Sequence, residues 1–320
     1  MPYRAAFDCL WCGTRWSTRG PDDLEGWAQL CPDCVGRAGD NEFLRFRLRT
    51  ALEERGRAAV GTGPIEVAGG RPERGAEDEL GREMVAYYQA RAGEYDDWYL
   101  RRGRYAHGPI HDQAWNAELD QATRWLDALP LAGEIVELAT GTGWWSPLLA
   151  SKGSLSCYDA AEAPLDLARE RLLAHRLRAH LHVRDAWAEP DRQVDAIFCG
   201  FWLSHIPSAR LPGFLALVRR WLEPGGTFAF VDSRPDPSSG AIDQPARDTA
   251  AGDPAAGASS APRPASPEVV RRRLADGREF RVVKVFHEPA ELADRLREAG
   301  FASAEVSATP RFFLLGRATA

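Results

Sequence analysis

Apolar residues in the second half of the chain come in short runs, separated by stretches with helical spacing. Glu134-Ile135-Val136-Glu137-Leu138 is an apolar run broken by one acid, the pattern of a buried strand. It gives way to the turn Ala139-Thr140-Gly141-Thr142-Gly143, and from Trp144 to Ala150 the pattern restarts as a helix. The alternation then continues with a strand at 154–158, a helix at 163–177, a strand at 179–184 and another at 194–199. A helix at 211–222, a Pro224-Gly225-Gly226 turn and a strand at 227–231 follow. Strands alternating with helices in this way predict an α/β fold built on a doubly wound sheet.

The flanking segments read differently. Residues 233–267 are dominated by Pro, Ala, Ser, Gly and Asp, too few apolar groups to order themselves, and are expected to be an insertion. Asp276-Gly277 between apolar runs at 269–274 and 278–286 signals a hairpin. A helix at 289–299 capped by Gly300 and a closing strand pair at 302–308 and 311–316 end the pattern. Upstream, 114–129 is an amphipathic helix leading into the first strand. Tyr87, Tyr88, Tyr95, Trp98 and Tyr99 form an aromatic concentration within 77–102. Tyr88, Tyr95 and Tyr99 share one face if a helix runs on through Gly93, serving either as plain core or as a cover for a site. Residues 41–55 place Phe43, Phe46, Leu48 and Leu52 on a roughly helical stripe, and 61–75, rich in Gly, Pro and charge, is a linker.

Cysteines add a second module. Cys9-x-x-Cys12 and Cys31-x-x-Cys34 are separated by 18 residues, a spacing suited to a four-thiolate zinc site of the ribbon type. Two hairpins, each presenting a thiolate pair, would close a tetrahedral shell and leave no open coordination position, so the metal's role is expected to be structural. So small a module cannot bury a stable core, and zinc would supply much of its folding energy. Cys157 and Cys199 fall in expected strands and read as small buried hydrophobes. The partition expected is a zinc ribbon at 1–48, a linker at 49–76 and a large domain at 77–320 with its insertion at 233–267.

A strand ending in a glycine turn that feeds a helix is how doubly wound sheets open a nucleotide site. A diphosphate would be crowded by Trp144, Trp145 and Ser146 after Gly143, and Glu137 lies inside the strand, two residues before the turn. This stretch resembles motif I of the class I S-adenosylmethionine (SAM) methyltransferases in its E-x-A-x-G-T-G form, with Ala139 where many members carry the first glycine. The resemblance extends from about residue 77 to 320, includes Pro224-Gly225-Gly226 before the fifth strand, and leaves the ribbon uncovered. It is nearest in kind to small-molecule enzymes such as the ubiquinone and menaquinone methyltransferases. It implies a seven-stranded Rossmann-like sheet closed by the antiparallel final hairpin. It also implies a SAM site made by Tyr88, Glu137, Ala139, Gly141, Gly143, Asp159, Asp185, Ala186, Trp187 and Gly200. Asp159, at the tip of the second strand, can accept both ribose hydroxyls or simply cap the following helix. In the resembling family an acid at the position of Asp185 accepts from the adenine amino group while the neighbouring side chain packs on the ring.

The acceptor side lies above the ends of the fourth and fifth strands. His205 is the best-placed imidazole, either as a base or as a loop histidine making a structural hydrogen bond; Asp232, His287 and His111 are weaker candidates. Trp202 and Tyr99 would wall a flat or apolar substrate. The favoured function is therefore methylation of a small, aromatic or apolar molecule. A zinc ribbon on a SAM fold also resembles rRNA-modifying enzymes, but a formal charge of −6 gives no basic footprint. The stretch after the fourth strand, Gly200-Phe201-Trp202-Leu203, also lacks the Asn/Asp-Pro-Pro-aromatic motif of base-amino methylation. A non-catalytic SAM-fold scaffold for a protein partner of the ribbon is the third reading. No long apolar segment appears, and a cytoplasmic protein free of the membrane is expected.

Overall fold

The sheet that the alternating pattern predicts forms with seven strands. The computed structural model describes residues 3–20, 22–37, 44, 47–48, 51–52, 73–244 and 268–320, with 73–78 described as backbone only. Two compact units emerge, Met1–Arg71 and Pro72–Ala320.

In the second unit, β3 (Glu134–Leu138), β4 (Ser154–Asp159), β5 (His180–Val183), β6 (Val194–Gly200) and β7 (Leu222–Ser233) are parallel. Strand β11 (Phe313–Thr319) pairs antiparallel with both β7 and β10 (Ser303–Ala308), giving the order β10-β11-β7-β6-β3-β4-β5. The expected closing hairpin is therefore present, with its last strand inserted against β7. Residues alternate between the two faces of the sheet. Val136, Leu138, Ile197, Phe228 and Phe230 face α7 (Leu211–Trp221) and α8 (Pro289–Glu298). Ile135, Leu155, Phe198 and Val231 face α4 (Pro109–Ala128), with Trp115, Leu119 and Leu126 opposite them. On α4 the buried Glu118 carboxylate accepts from the N–H groups of Arg311 (3.0 Å) and Phe312 (2.9 Å) and from the Thr309 hydroxyl. That satisfies backbone donors which the turn before β11 would otherwise bury unpaired.

Several boundaries move for identifiable reasons. The aromatic segment is one helix, α3 (Glu73–Tyr99), that runs through Gly93 and begins inside the expected 49–76 linker. The rest of that linker, apart from residues 51 and 52, lies outside the described residues. Helix α6 (Glu162–Ala174) stops short of residue 177 because Arg176 turns left-handed at φ 60°, and Leu177 N–H bonds back to the Leu172 carbonyl. Strand β7 is longer at both ends than 227–231, with a register irregularity opposite Val194 and Ala196. The insertion's first residues are ordered: Ser233 ends β7, Asp236 caps a 3₁₀ turn at Pro237–Ser239, and residues 245–267 lie outside the described residues. The Asp276-Gly277 hairpin forms as β8 (Val269–Arg273) and β9 (Glu279–Val283), its apolar side packed on Met84 and Tyr87 of α3.

In the first unit, β1 (Ala6–Asp8) and β2 (Arg15–Ser17) form a hairpin whose turn carries Cys9 and Cys12. After α1 (Leu24–Ala28), the second cysteine pair opens α2 (Pro32–Gly36), with Cys31 at its N-cap. This corrects the expectation of a second hairpin: Pro32, with its fixed φ, sits at the first helical position and favours a helix start. The helical face after Cys34 also differs from the expected stripe. Leu44, Leu48 and Ala51 pack inward and Leu52 is exposed, while Phe43 and Phe46 lie outside the described residues.

The final hairpin is tightest at Gly316, which pairs with Phe230 across β11 and β7; a Cβ there would come within 2.0 Å of the Phe230 ring. Gly316→Ala is expected to cost about 1–3 kcal/mol by overpacking. The check is the denaturant midpoint, which should fall at an unchanged m-value. An unchanged midpoint would mean the ring has room to move.

Candidate active site

The turn between β3 and α5 (Ser146–Ala150) sits at the carboxyl edge of the sheet, where open α/β sheets hold ligands. Its backbone needs unusual conformations: Ala139 is left-handed at φ 51°, Gly141 at 59° and Gly143 at 72°. The glycine that many methyltransferases carry at the position of Ala139 is thus explained, since only glycine adopts that conformation without strain. A Cβ on Gly141 would meet nothing within 4 Å, so the open space needed for a ligand lies directly over the turn.

That space belongs to a cavity of about 550 Å³ lined by Ala139, Gly141, Asp159, Asp185, Ala186, Trp187 and Gly200, and closed by Tyr88 and Met84 of α3. Its volume suits one cofactor-sized molecule. Asp159, at the end of β4, accepts from Gly141 N–H at 2.8 Å and Ala161 N–H at 2.9 Å, and burial raises its carboxyl pKa above the usual value. Each carboxylate oxygen keeps a second lone pair for a ligand hydroxyl. Asp185 accepts from Trp187 N–H at 2.9 Å, which fixes the loop after β5 along the same wall.

Three of the expected residues stand behind the wall instead of in it. Glu137 is buried beneath the turn, where it accepts from the Ser146 hydroxyl and lies 3.6 Å from Cys157 Sγ; burial lifts its pKa to about 7. Gly143 makes room for α6, because a Cβ there would come 2.7 Å from the Ala168 Cβ. Tyr99 is buried and stacks flat on Trp144 at 4.2 Å, bracing the turn from outside. Asp96 of α3 joins that brace by accepting from the Thr142 hydroxyl at 2.6 Å and from Arg171 of α6.

A second cavity, of about 580 Å³, shares Tyr88, Tyr95, Phe201 and His205 with the first. His205 ends a 3₁₀ turn at Leu203–His205 just after β6. Its Nδ1–H donates to the Val283 carbonyl at 2.6 Å, which leaves the Nε2 lone pair to accept from the Tyr88 hydroxyl at 2.8 Å. Burial and the nearby Lys284 ammonium hold the imidazole pKa well below its ordinary range, while burial holds Tyr88 as the phenol. A neutral His–Tyr pair therefore stands where the two cavities meet. Trp202 lines the first cavity alone. Asp232, His287 and His111 line neither; Asp232 is spent accepting from the N–H groups of Ser204 and Ser233. Sequence reasoning missed Arg91, Tyr105, Phe201, Arg234, Arg272 and Lys284, all in the second cavity. Only Phe201 carried a local signal, next to Gly200 at the end of β6.

In the first unit the Cys9, Cys12, Cys31 and Cys34 sulfurs all lie within 4.8 Å of one another, three buried and Cys12 exposed. Cys31 N–H donates to Cys9 Sγ at 3.3 Å, a backbone contact that favours a thiolate. The four sulfurs fit a tetrahedral thiolate-binding ion.

Comparison with known proteins bears on the large unit. The family model described as Methyltransferase domain matches residues 135–226. A search of the curated proteins finds no match. Among solved structures, the DhpI complex with SAH is 31% identical, covers 75% of this chain and 96% of its own, and superposes with a TM-score of 0.54. The DhpI–SAM–HEP complex is 32% identical, with 75% and 97% coverage and a TM-score of 0.55. The glycine turn, the strand-tip acids and this likeness converge: the chain belongs to the SAM-dependent methyltransferases.

Proposed function

We propose that the enzyme methylates a small molecule held in the second cavity, with SAM in the first and His205 as proton acceptor. The observation that carries this reading is the meeting of the two cavities at Tyr88 and His205. DhpI has been solved with SAM and HEP together, which supports a ternary arrangement of this kind. Asp159 and Asp185 would bind the ribose and adenine ends, and Gly141 would let the ligand lie against the main chain. SAM supplies an electrophilic methyl whose in-line transfer needs mainly alignment from the protein. His205 Nε2, kept neutral by burial and aimed by the Val283 carbonyl, takes the proton of an acceptor hydroxyl or amine, directly or through the Tyr88 hydroxyl. Aromatic walls from Tyr95, Trp98, Tyr105 and Phe201 suit a planar or apolar body in the acceptor.

In the same proposal, Cys9, Cys12, Cys31 and Cys34 hold one zinc ion that organises the first unit. All four sulfurs would be ligands, so the ion has no position for substrate. The partition into a zinc module and a methyltransferase unit follows, with the zinc module the place where a protein partner would dock in this reading. No described helix is long and apolar enough to cross a membrane.

Asp159→Ala should weaken SAM binding by about 1.5–3 kcal/mol, the loss of charge-assisted hydrogen bonds, as read by calorimetry. Unchanged affinity would remove Asp159 from the site. For the acceptor identified by a labelled-methyl screen, His205→Ala should lower kcat by about 10²–10⁴. Because the imidazole pKa is depressed, the acid limb of the wild-type pH–rate profile should lie well below the ordinary histidine value, with no loss of rate between neutral and mildly acidic pH. A limb at the ordinary value would mean His205 is not the base. Metal analysis should find one zinc per chain, lost in Cys9→Ser/Cys34→Ser while SAM affinity persists. Retained zinc would refute the four-cysteine shell.

A further inference from the structure

The second cavity is charged as well as aromatic. Arg91, Arg234, Arg272 and Lys284 line it, and among the described lining residues the carboxylate is Asp236, which is already paired with Arg311 at 3.0 Å. Arg234 and Lys284 are partly engaged by neutral groups: Arg234 donates to the Thr309 and Pro310 carbonyls, and Lys284 donates to the Ser204 and Ser233 hydroxyls.

Arg91 is the informative one. It projects from α3 with 9% of its surface exposed, and forms no ion pair or hydrogen bond among the described residues; its Nε is buried without a partner. Its guanidinium lies among rings instead, 4.4 Å from the centroid of Tyr95, 5.6 Å from Tyr87 and 5.7 Å from Tyr105. Cation–π contacts offset part of the loss of hydration but satisfy none of the five N–H donors. A buried cation without an acceptor is costly, and the planar fork of a guanidinium matches an oxyanion in two-point contact.

We infer that the methyl acceptor is an organic acid: an oxyanion seated on Arg91, within the cationic wall of Arg234, Arg272 and Lys284, anchors the molecule while a separate protonated group meets Tyr88 and His205. The inference rests on the two-cavity reading above and deepens it by naming the substrate class. Carboxylates and phosphoryl groups share the required chemistry. The anion is a handle and not the nucleophile. The acceptor's own hydroxyl or amine gives its proton to His205 and forms the new bond to the methyl carbon as the sulfonium bond breaks. The acid group leaves the reaction unchanged and still charged.

Calorimetry on the full chain saturated with SAH tests this, using benzoate, phenyl phosphate and uncharged benzyl alcohol at constant ionic strength. At least one anion should bind about tenfold or more tightly than benzyl alcohol, and which one identifies the acid. Arg91→Gln should erase that preference while SAH affinity stays at the wild-type value. Arg272→Gln, which changes β8 and not α3, should reduce it and serves if Arg91→Gln does not fold. The proposal is overturned if neither anion outbinds benzyl alcohol, or if the preference survives in the variants. Failure of the wild type to bind SAH would strike the cofactor reading first, and the inference with it.

Discussion

The arrangement depends on keeping one strained turn in shape. Residues 139–143 adopt left-handed backbone at three positions and cannot hold themselves. Carboxylates on neighbouring elements hold them. Asp159 ties Gly141 to the tip of β4, and Asp96 ties Thr142 to α3 and α6. Below the turn, Glu137 accepts from Ser146 at the start of α5. Two of these bonds tie the turn itself to β4 and to α3, and the third joins the strand before it to the helix after it. The backbone over which the cavity opens is thus held from three sides. That is preorganisation in a concrete form: the site's polar groups are fixed before a ligand arrives.

The same covering helix serves both cavities. Its Met84 and Tyr88 close the first, and its Tyr95 and Trp98 wall the second, because one face of a helix returns every three to four residues. The hairpin of β8 and β9 then holds the helix's first half, through Phe280 against Tyr87 and Arg281 paired with Glu83 at 2.7 Å. Exposed pairs of that kind contribute little. The hold comes mainly from the apolar cluster of Met84, Tyr87, Val270 and Val282. Burial under this cover is also what shifts His205 and Tyr88 away from their ordinary protonation ranges, so the electrostatics of the junction follow from its packing.

The first unit shows a different economy. Among its described residues the buried apolar side chains are few, Phe7, Leu30 and Leu44 the largest, and three of the four cysteines share the core of Leu30 and Leu44. The zinc proposed for the four cysteines would add a cross-link to packing of this size.

Local features of the chain were legible without the structure. The alternation of runs gave the strands and their order in sequence, the glycine turn marked the site, and Asp159 and Asp185 could be placed at strand tips. The cysteine spacing alone brought four sulfurs together. Apart from the cysteine pairs, which are separated by 18 residues, each of these is encoded within a few residues or one strand–helix unit. Parity along β3 could also have warned that Glu137, two residues from Ile135, points to the helix-covered face and not to the cavity. Contacts between distant segments were decided only by the fold. Tyr88 meets His205 across 117 residues, and Arg91 shares a cavity with Arg272 from the hairpin. No periodicity links such pairs, since a hydrogen bond or a shared wall between remote segments leaves no repeat in either one. The sequence thus determined where the glycine turn lies, and tertiary packing decided what faces it.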